Sequence, residues 1–188
     1  MVLCVCGLSG SGKSTVAKRL AEQYGLRYVS GGDALRALAV ERGYRAVERG
    51  WWESDDGMRF LKERTDDFSF DREIDEKLLE CAREGNVVLD SWTMPWLFDG
   101  GFKVWLNCPV KVRAKRLMKR NNIGFEEALK ALRMKEERTK EIYFRLYSFH
   151  LEKDFSPFDM ILNTDFLAVD EVFDTLCLVT DKWVLGKR

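Results

Sequence analysis

The run GLSGSGKST at residues 7–15 restricts the fold of this chain more than any other stretch. Gly7 through Ser14 fit G-x-x-x-x-G-K-[ST], a turn whose backbone N–H groups face phosphate oxygens with a helix N-terminus behind them. Such a turn needs a strand before it and a helix after it. Val2 to Cys6 is a short, apolar, β-favouring run ending at glycine, which suits a strand buried on both faces of a parallel sheet. From Ser14 onward, STVAKRLAEQYG puts Val16, Ala17, Leu20 and Ala21 on one helical face and stops at Gly25, a suitable C′ residue. In that context Gly7, Leu8, Ser9, Gly10, Ser11, Gly12, Lys13, Ser14 and Thr15 are read as a loop around a nucleoside triphosphate. Lys13 reaches the β and γ phosphates, and Ser14 offers a hydroxyl to Mg²⁺. ATP and Mg²⁺ are the expected cofactors.

The alternation continues along the chain. LRYVS (26–30), NVVLD (86–90), FKVWLNC (102–108) and FDMILN (158–163) read as further strands. Between them, helical spacing is predicted over 31–43, 70–85, from Pro109 onward, over about 125–147, and in the closing segment AVDEVFDTLCLVTDKWV. Tyr44 to Phe70 is a polar, tryptophan-bearing stretch to which no regular element is assigned. Strands alternating with helices predict a three-layer α/β fold of the P-loop NTPase type, with about five parallel strands flanked by helices. At 188 residues the chain is expected to be one domain, 1–188, with an acceptor-binding arm at about 31–70 and a lid at about 120–150.

Composition narrows the partners. Thirty-one Lys plus Arg balance thirty-one Asp plus Glu, so no overall field draws the chain to nucleic acid or an anionic membrane. The five cysteines, Cys4, Cys6, Cys81, Cys108 and Cys177, form no C-x-x-C pair and no zinc-ligand spacing, and are read as reduced thiols. The apolar start MVLCVCGL is too short for a signal segment, and no run approaches a membrane span. A monomer in the cytoplasm is the expectation.

Asp90 ends the apolar strand VVLD, where a carboxylate would meet the metal or its water shell; the plainer alternative is a solvated strand end. No N-K-x-D base-reading motif follows a later strand, and the chain is shorter than transport or motor ATPases require. Small P-loop kinases remain. Arg113, Arg116 and Arg120 fall at i, i+3 and i+7 after the fourth strand, and Arg133 and Arg138 follow in the next helix. Guanidinium forks at a lid suit the charge that spreads over a phosphoryl group in transfer, whereas the plain alternative is a solvated basic face interleaved with Glu126, Glu127, Glu136 and Glu137.

The succession GLSGSGKST, SGGDALRALA, FDREIDEKLLECAREGNVVLD, VKVRAKRLMKRNNIGFEEALK and FSPFDMILNT resembles the archaeal-type cytidylate kinases of the nucleoside monophosphate kinase superfamily over nearly the whole chain. The resemblance implies that Gly32, Asp33 and Arg36 belong to the arm gripping the acceptor nucleotide, with Arg36 on its phosphate. It also implies Arg116 against the adenine of ATP, and Arg120 and Arg133 on the transferring phosphoryl group. Three places depart from the family pattern. Asp90-Ser91-Trp92 stands where Glu-Gly-Arg is usual, Ile142-Tyr143 replaces Arg-Tyr, and Ser148-Phe149-His150 replaces Gly-Ile-Asp.

The resemblance makes CMP or dCMP the leading acceptor. Trp92, with Trp51, Trp52 and Trp96 nearby, is a candidate to stack on a flat acceptor, although tryptophan is more often core. His150, the single histidine, is a lesser candidate for acceptor contact. Two other readings stand beside this one. One is a kinase of a small hydroxyl acceptor with Asp33 as base; the other is a nucleotide-binding module without transfer, against which Lys13, Ser14 and the arginine cluster argue.

Overall fold

The computed structural model describes residues 1–45 and 50–186, with Glu53 by its backbone alone; the part of the expected arm at 46–49 lies outside the described residues. Five parallel strands, β1 (Val2–Cys6), β2 (Arg27–Ser30), β3 (Val87–Asp90), β4 (Phe102–Asn107) and β5 (Met160–Asn163), form one sheet in the order β2-β3-β1-β4-β5. The helices are α1 (Lys13–Tyr24), α2 (Gly31–Glu41), α3 (Asp55–Asp66), α4 (Ser69–Glu84), α5 (Met94–Leu97), α6 (Val110–Asn121), α7 (Phe125–Tyr147) and α8 (Val169–Gly186). The α/β class, the parallel sheet and the strand positions agree with the sequence reading to within a residue or two at each end.

Side-chain alternation along β1 divides the core. Leu3 and Val5 pack with Val16 and Leu20 of α1 and Leu176 of α8. Cys4 turns the other way, against Leu38, Ile74 and Leu78 of α2 and α4, and Cys6 meets Leu61, Ile142 and Phe149. The five cysteines are free thiols, and burial pushes the Cys4 thiol up to about 12 and raises that of Cys6 further, so these two are inert. No helix among the described residues is long and apolar enough to cross a membrane.

The chain leaves β1 for the outer strand β2, returns through β3 and crosses over β1 to β4. That reversal leaves a crevice above the carboxyl end of β1, the place where open α/β sheets bind ligands. The ends of β1, β3 and β4 converge there.

Within the stretch read as irregular, residues 51–66 form regular structure, in difference from the sequence reading. A 3₁₀ turn at Trp51–Glu53 leads into α3. Ser54 caps that helix by accepting from the Gly57 amide at 3.2 Å, and its own hydroxyl donates to the Trp51 carbonyl at 2.6 Å. Gly57, Phe60, Leu61 and Arg64 form the buried stripe. Periodicity is hard to see because one of its four positions is a glycine and another an arginine. Glycine is required at 57, since a Cβ there would lie 2.0 Å from the Trp51 carbonyl oxygen. Gly57→Ala is therefore expected to lower the denaturant midpoint by the equivalent of about 1–3 kcal/mol at unchanged slope, read by chemical denaturation.

Candidate active site

The phosphate loop is built by what its glycines omit. Gly7 has φ 148°, and a Cβ there would come within 2.6 Å of the Leu106 carbonyl and 2.7 Å of Ser11 Oγ. Gly12 has φ 98°, caps α1 without a side-chain hydrogen bond, and has open space where a Cβ would stand. The first-turn amides of α1 are thus uncovered and face the crevice. Ser11 Oγ is buried without a partner among the described residues, an orphan that a phosphate oxygen would satisfy.

Lys13 Nζ stands 3.8 Å from Asp90 Oδ1, and Asp90 is only 3 % exposed. Tyr28 donates its hydroxyl to the other carboxylate oxygen at 3.0 Å; burial first and the Asp90 charge second push that phenol well above its ordinary value, so it stays a donor. The Asp90 carboxylate is therefore held in place beside Lys13, with the Ser14 hydroxyl exposed on the first turn of α1. These donors fit Mg·ATP: magnesium uses one or two protein oxygens together with phosphates, and no cluster of three or more His, Cys, Asp or Glu exists among the described residues to hold a metal by itself. When bound, Mg²⁺ neutralises charge on the β and γ phosphates.

A cavity of about 670 Å³ runs from this loop to α2, α3 and α4. Gly32, Asp33 and Arg36 of α2 line it, with Arg36 Nη2 3.5 Å from Asp33 Oδ1 and Ser30 capping the helix through the Asp33 amide. Arg116 and Arg120 line it from α6. Arg116 donates to the Ser11 carbonyl at 3.2 Å and the Thr164 carbonyl at 2.8 Å, clamping the phosphate loop to the turn after β5.

Two of the expected arginines lie elsewhere. Arg113 does not share an open face with Arg116 and Arg120; it is 2 % exposed and forms a buried ion pair with Glu136 of α7. Arg133 is exposed on the outer side of α7, in a shallow groove with Glu126, Lys130 and Glu137, and does not reach the main cavity. The cause is helical rotation. The buried stripe Ala128, Leu132, Glu136, Thr139, Ile142 and Tyr143 is centred roughly 110° around α7 from position 133, which falls on the outer side with Glu126, Lys130 and Glu137. Lys135 and Thr139 face the cavity instead. Sequence reading missed both, although the stripe Ala128, Leu132, Thr139, Ile142 and Tyr143 brackets positions 135 and 136 and marks them as inward.

A second missed group forms the wall from α3 and α4. Arg64 makes a two-pronged pair with Asp71, Nε to Oδ2 at 3.0 Å and Nη2 to Oδ1 at 2.6 Å. Asp75 accepts from Thr93 Oγ1 at 2.5 Å and from the Tyr147 hydroxyl at 2.8 Å. Burial pushes the Asp75 carboxyl up to about 7, against the lowering by those hydrogen bonds.

The tryptophans separate. Trp92 is buried, its indole N–H donating to the Gly7 carbonyl at 2.7 Å, with its ring on the cavity wall beside Trp52. Trp51 is core at 2 % exposed, and Trp96 stacks on Phe149 at 4.2 Å with its N–H on Asp154, away from the cavity. His150 stacks on exposed Phe144 and does not line the cavity.

Sheet order, phosphate loop and a cavity across the strand ends define a P-loop kinase. The chain belongs to the cytidylate kinase-like family, whose model matches residues 2–166. It is similar to the cytidylate kinase of Pyrococcus horikoshii, 35% identical over 174 residues that cover 92% of this chain and 84% of that protein. It is 34% identical over 186 residues to the cytidylate kinase of Methanocaldococcus jannaschii, covering 96% and 98%. In fold it resembles the shikimate kinase of Bacteroides thetaiotaomicron, with a TM-score of 0.58 at 18% identity over 96% of this chain and 98% of that one. Family membership makes the chain a phosphotransferase of the nucleoside monophosphate kinase kind. Lys13→Ala is expected to abolish ATP-dependent transfer while the far-ultraviolet circular dichroism is unchanged, because Lys13, the first residue of α1, lies outside the core clusters.

Proposed function

We propose that this chain transfers the γ-phosphoryl group of Mg·ATP to CMP or dCMP. The observation that carries the reading is the single cavity joining the phosphate loop to the α2–α4 wall, with cations at the loop and paired carboxylates at the wall. Lys13 and the loop amides hold the β and γ phosphates; Ser14 and Asp90 are the groups that would hold Mg²⁺. Arg36 takes the acceptor phosphate, Arg116 lies against the donor base, and Arg120 approaches the phosphoryl group. A monophosphate already presents an oxyanion as nucleophile, so no base is needed. Asp33 lies 3.5 Å from Arg36, engaged in an ion pair, which argues against its serving as the base of a hydroxyl kinase.

The α3–α4 wall supplies base recognition on this reading. Cytosine offers an exocyclic amine that donates, beside a ring nitrogen and a carbonyl that accept. Carboxylates of Asp71 and Asp75 suit the amine, and Arg64 suits the acceptors. Uracil would set a carbonyl against a carboxylate, an unpaired buried contact costing about 1–3 kcal/mol, so CMP is expected to exceed UMP by roughly 10- to 100-fold in kcat/KM. An ATP-consumption screen over the nucleoside monophosphates and a set of hydroxyl metabolites, with a no-acceptor control, tests the reading. Equal use of CMP and UMP, or preference for a hydroxyl acceptor, overturns it.

The Asp75 carboxyl adds a pH dependence of known sign. Its native value near 7 exceeds the ordinary 3.8, so the folded chain keeps a proton that the unfolded chain has lost. Its contribution to stability therefore falls as pH rises from about 4 to 7. Asp75→Asn is expected to flatten that slope in thermal melts. Ionised Asp75 accepts from the amine, so KM for CMP is expected to fall as pH rises through 7 in the wild type and not in Asp75→Asn.

A further inference from the structure

Lys135 occupies the boundary between the donor and acceptor halves of the cavity. Its Nζ lies 3.1 Å from Ser9 Oγ in the phosphate loop. It also stands 4.5 Å from the ring centre of Trp52, on the acceptor side, and 5.6 Å from that of Trp92. Lys13 Nζ lies 5.9 Å from the Trp92 ring. One neutral indole thus sits beside two ammonium groups, one from the loop and one from α7. An aromatic face attracts a cation placed over it.

Neighbouring residues fix this placement. Glu136 is held by buried Arg113, and Arg113 also donates to the Ser9 carbonyl at 3.0 Å and the Cys108 carbonyl at 2.9 Å. The rotation of α7 over the loop is thereby set at the residue next to Lys135. One turn further, Thr139 is 2 % exposed and lines the cavity with a hydroxyl that has no partner among the described residues. A buried hydroxyl of that kind marks where a ligand oxygen belongs.

We propose that Lys135 is a catalytic residue that contacts the phosphoryl group in flight, with Thr139 donating to a phosphate oxygen beside it; the proposal rests on the kinase reading above. An oxygen of the acceptor monophosphate forms a bond to the γ phosphorus. The bond from that phosphorus to the β,γ-bridging oxygen breaks, and its electron pair leaves with ADP. Lys135 meets the charge on the equatorial oxygens from the α7 side. The Trp92 ring holds this cation in place.

Steady-state kinetics with CMP and a calorimetric titration test this. Lys135→Ala is expected to lower kcat by ~10²-fold or more with KM for ATP within about threefold, as for loss of one transition-state contact. Lys135→Arg is expected to recover part of that loss. In the titration, ADP alone is expected to bind both proteins equally. ADP with aluminium fluoride, which mimics the planar phosphoryl group, is expected to bind Lys135→Ala ~10²-fold more weakly. Trp92→Arg puts a third cation between Lys13 and Lys135 and is expected to lower kcat. Wild-type kcat and unchanged fluoride-complex affinity in Lys135→Ala overturn the proposal. The fluoride titration is run without acceptor and needs no turnover, so it decides on Lys135 even if no monophosphate is a substrate and the acceptor reading falls.

Discussion

A single buried guanidinium organises the molecule around its crevice. Arg113 gives its donors to the Ser9 carbonyl in the phosphate loop, the Cys108 carbonyl after β4, and the carboxylate of Glu136 on α7. A charge at 2 % exposure survives only when its donors are satisfied, and removing one partner of such a pair costs about 3–5 kcal/mol. The loop, a strand end and the long helix are therefore held by one group with fixed fork geometry. Lysine would not replace it, having a point charge where three directions are needed. Gly10 follows from the same packing: a Cβ there would meet the Arg113 backbone at 3.0 Å.

An apolar cluster packs beside this frame. Ile142 is fully buried, and with Tyr143 and Phe149 it packs against Leu8, Leu61, Trp92 and Trp105. Together they form an apolar wall behind the phosphate loop. Ser148, in the left-handed region with φ 60°, ends α7 as glycine would and turns Phe149 inward. α7 delivers Lys135 to the ring of Trp92.

Local features were the legible ones. The phosphate loop could be read complete because its function depends on eight consecutive residues and the elements that flank them. Strands β1, β3 and β4 were clear because apolar runs buried on both faces look like little else. α3 was not, since Gly57 and Arg64 occupy buried positions that apolar residues usually fill, and each is explained only by a residue outside the helix, Trp51 or Asp71. The arginines illustrate the same limit. Spacing grouped Arg113 with Arg116 and Arg120, but the contact between residues 113 and 136 decides which side chains face the cavity, and no spacing rule within either helix contains it. Asp75 and Thr93 meet only after the sheet brings the end of β3 against α4.

Glu136 is also the middle residue of α7, with eleven residues before it and eleven after. Left-handed residues bound the span, Asn122 before it and Ser148 after it. A rigid rod of about 34 Å pinned at its centre behaves as a beam on a fulcrum. Tilting moves the tips furthest, including Tyr147 and its bond to Asp75, while a side chain next to the pivot is nearly stationary. Lys135 is that side chain, so its place over Ser9 depends on the Arg113–Glu136 pair rather than on the helix ends.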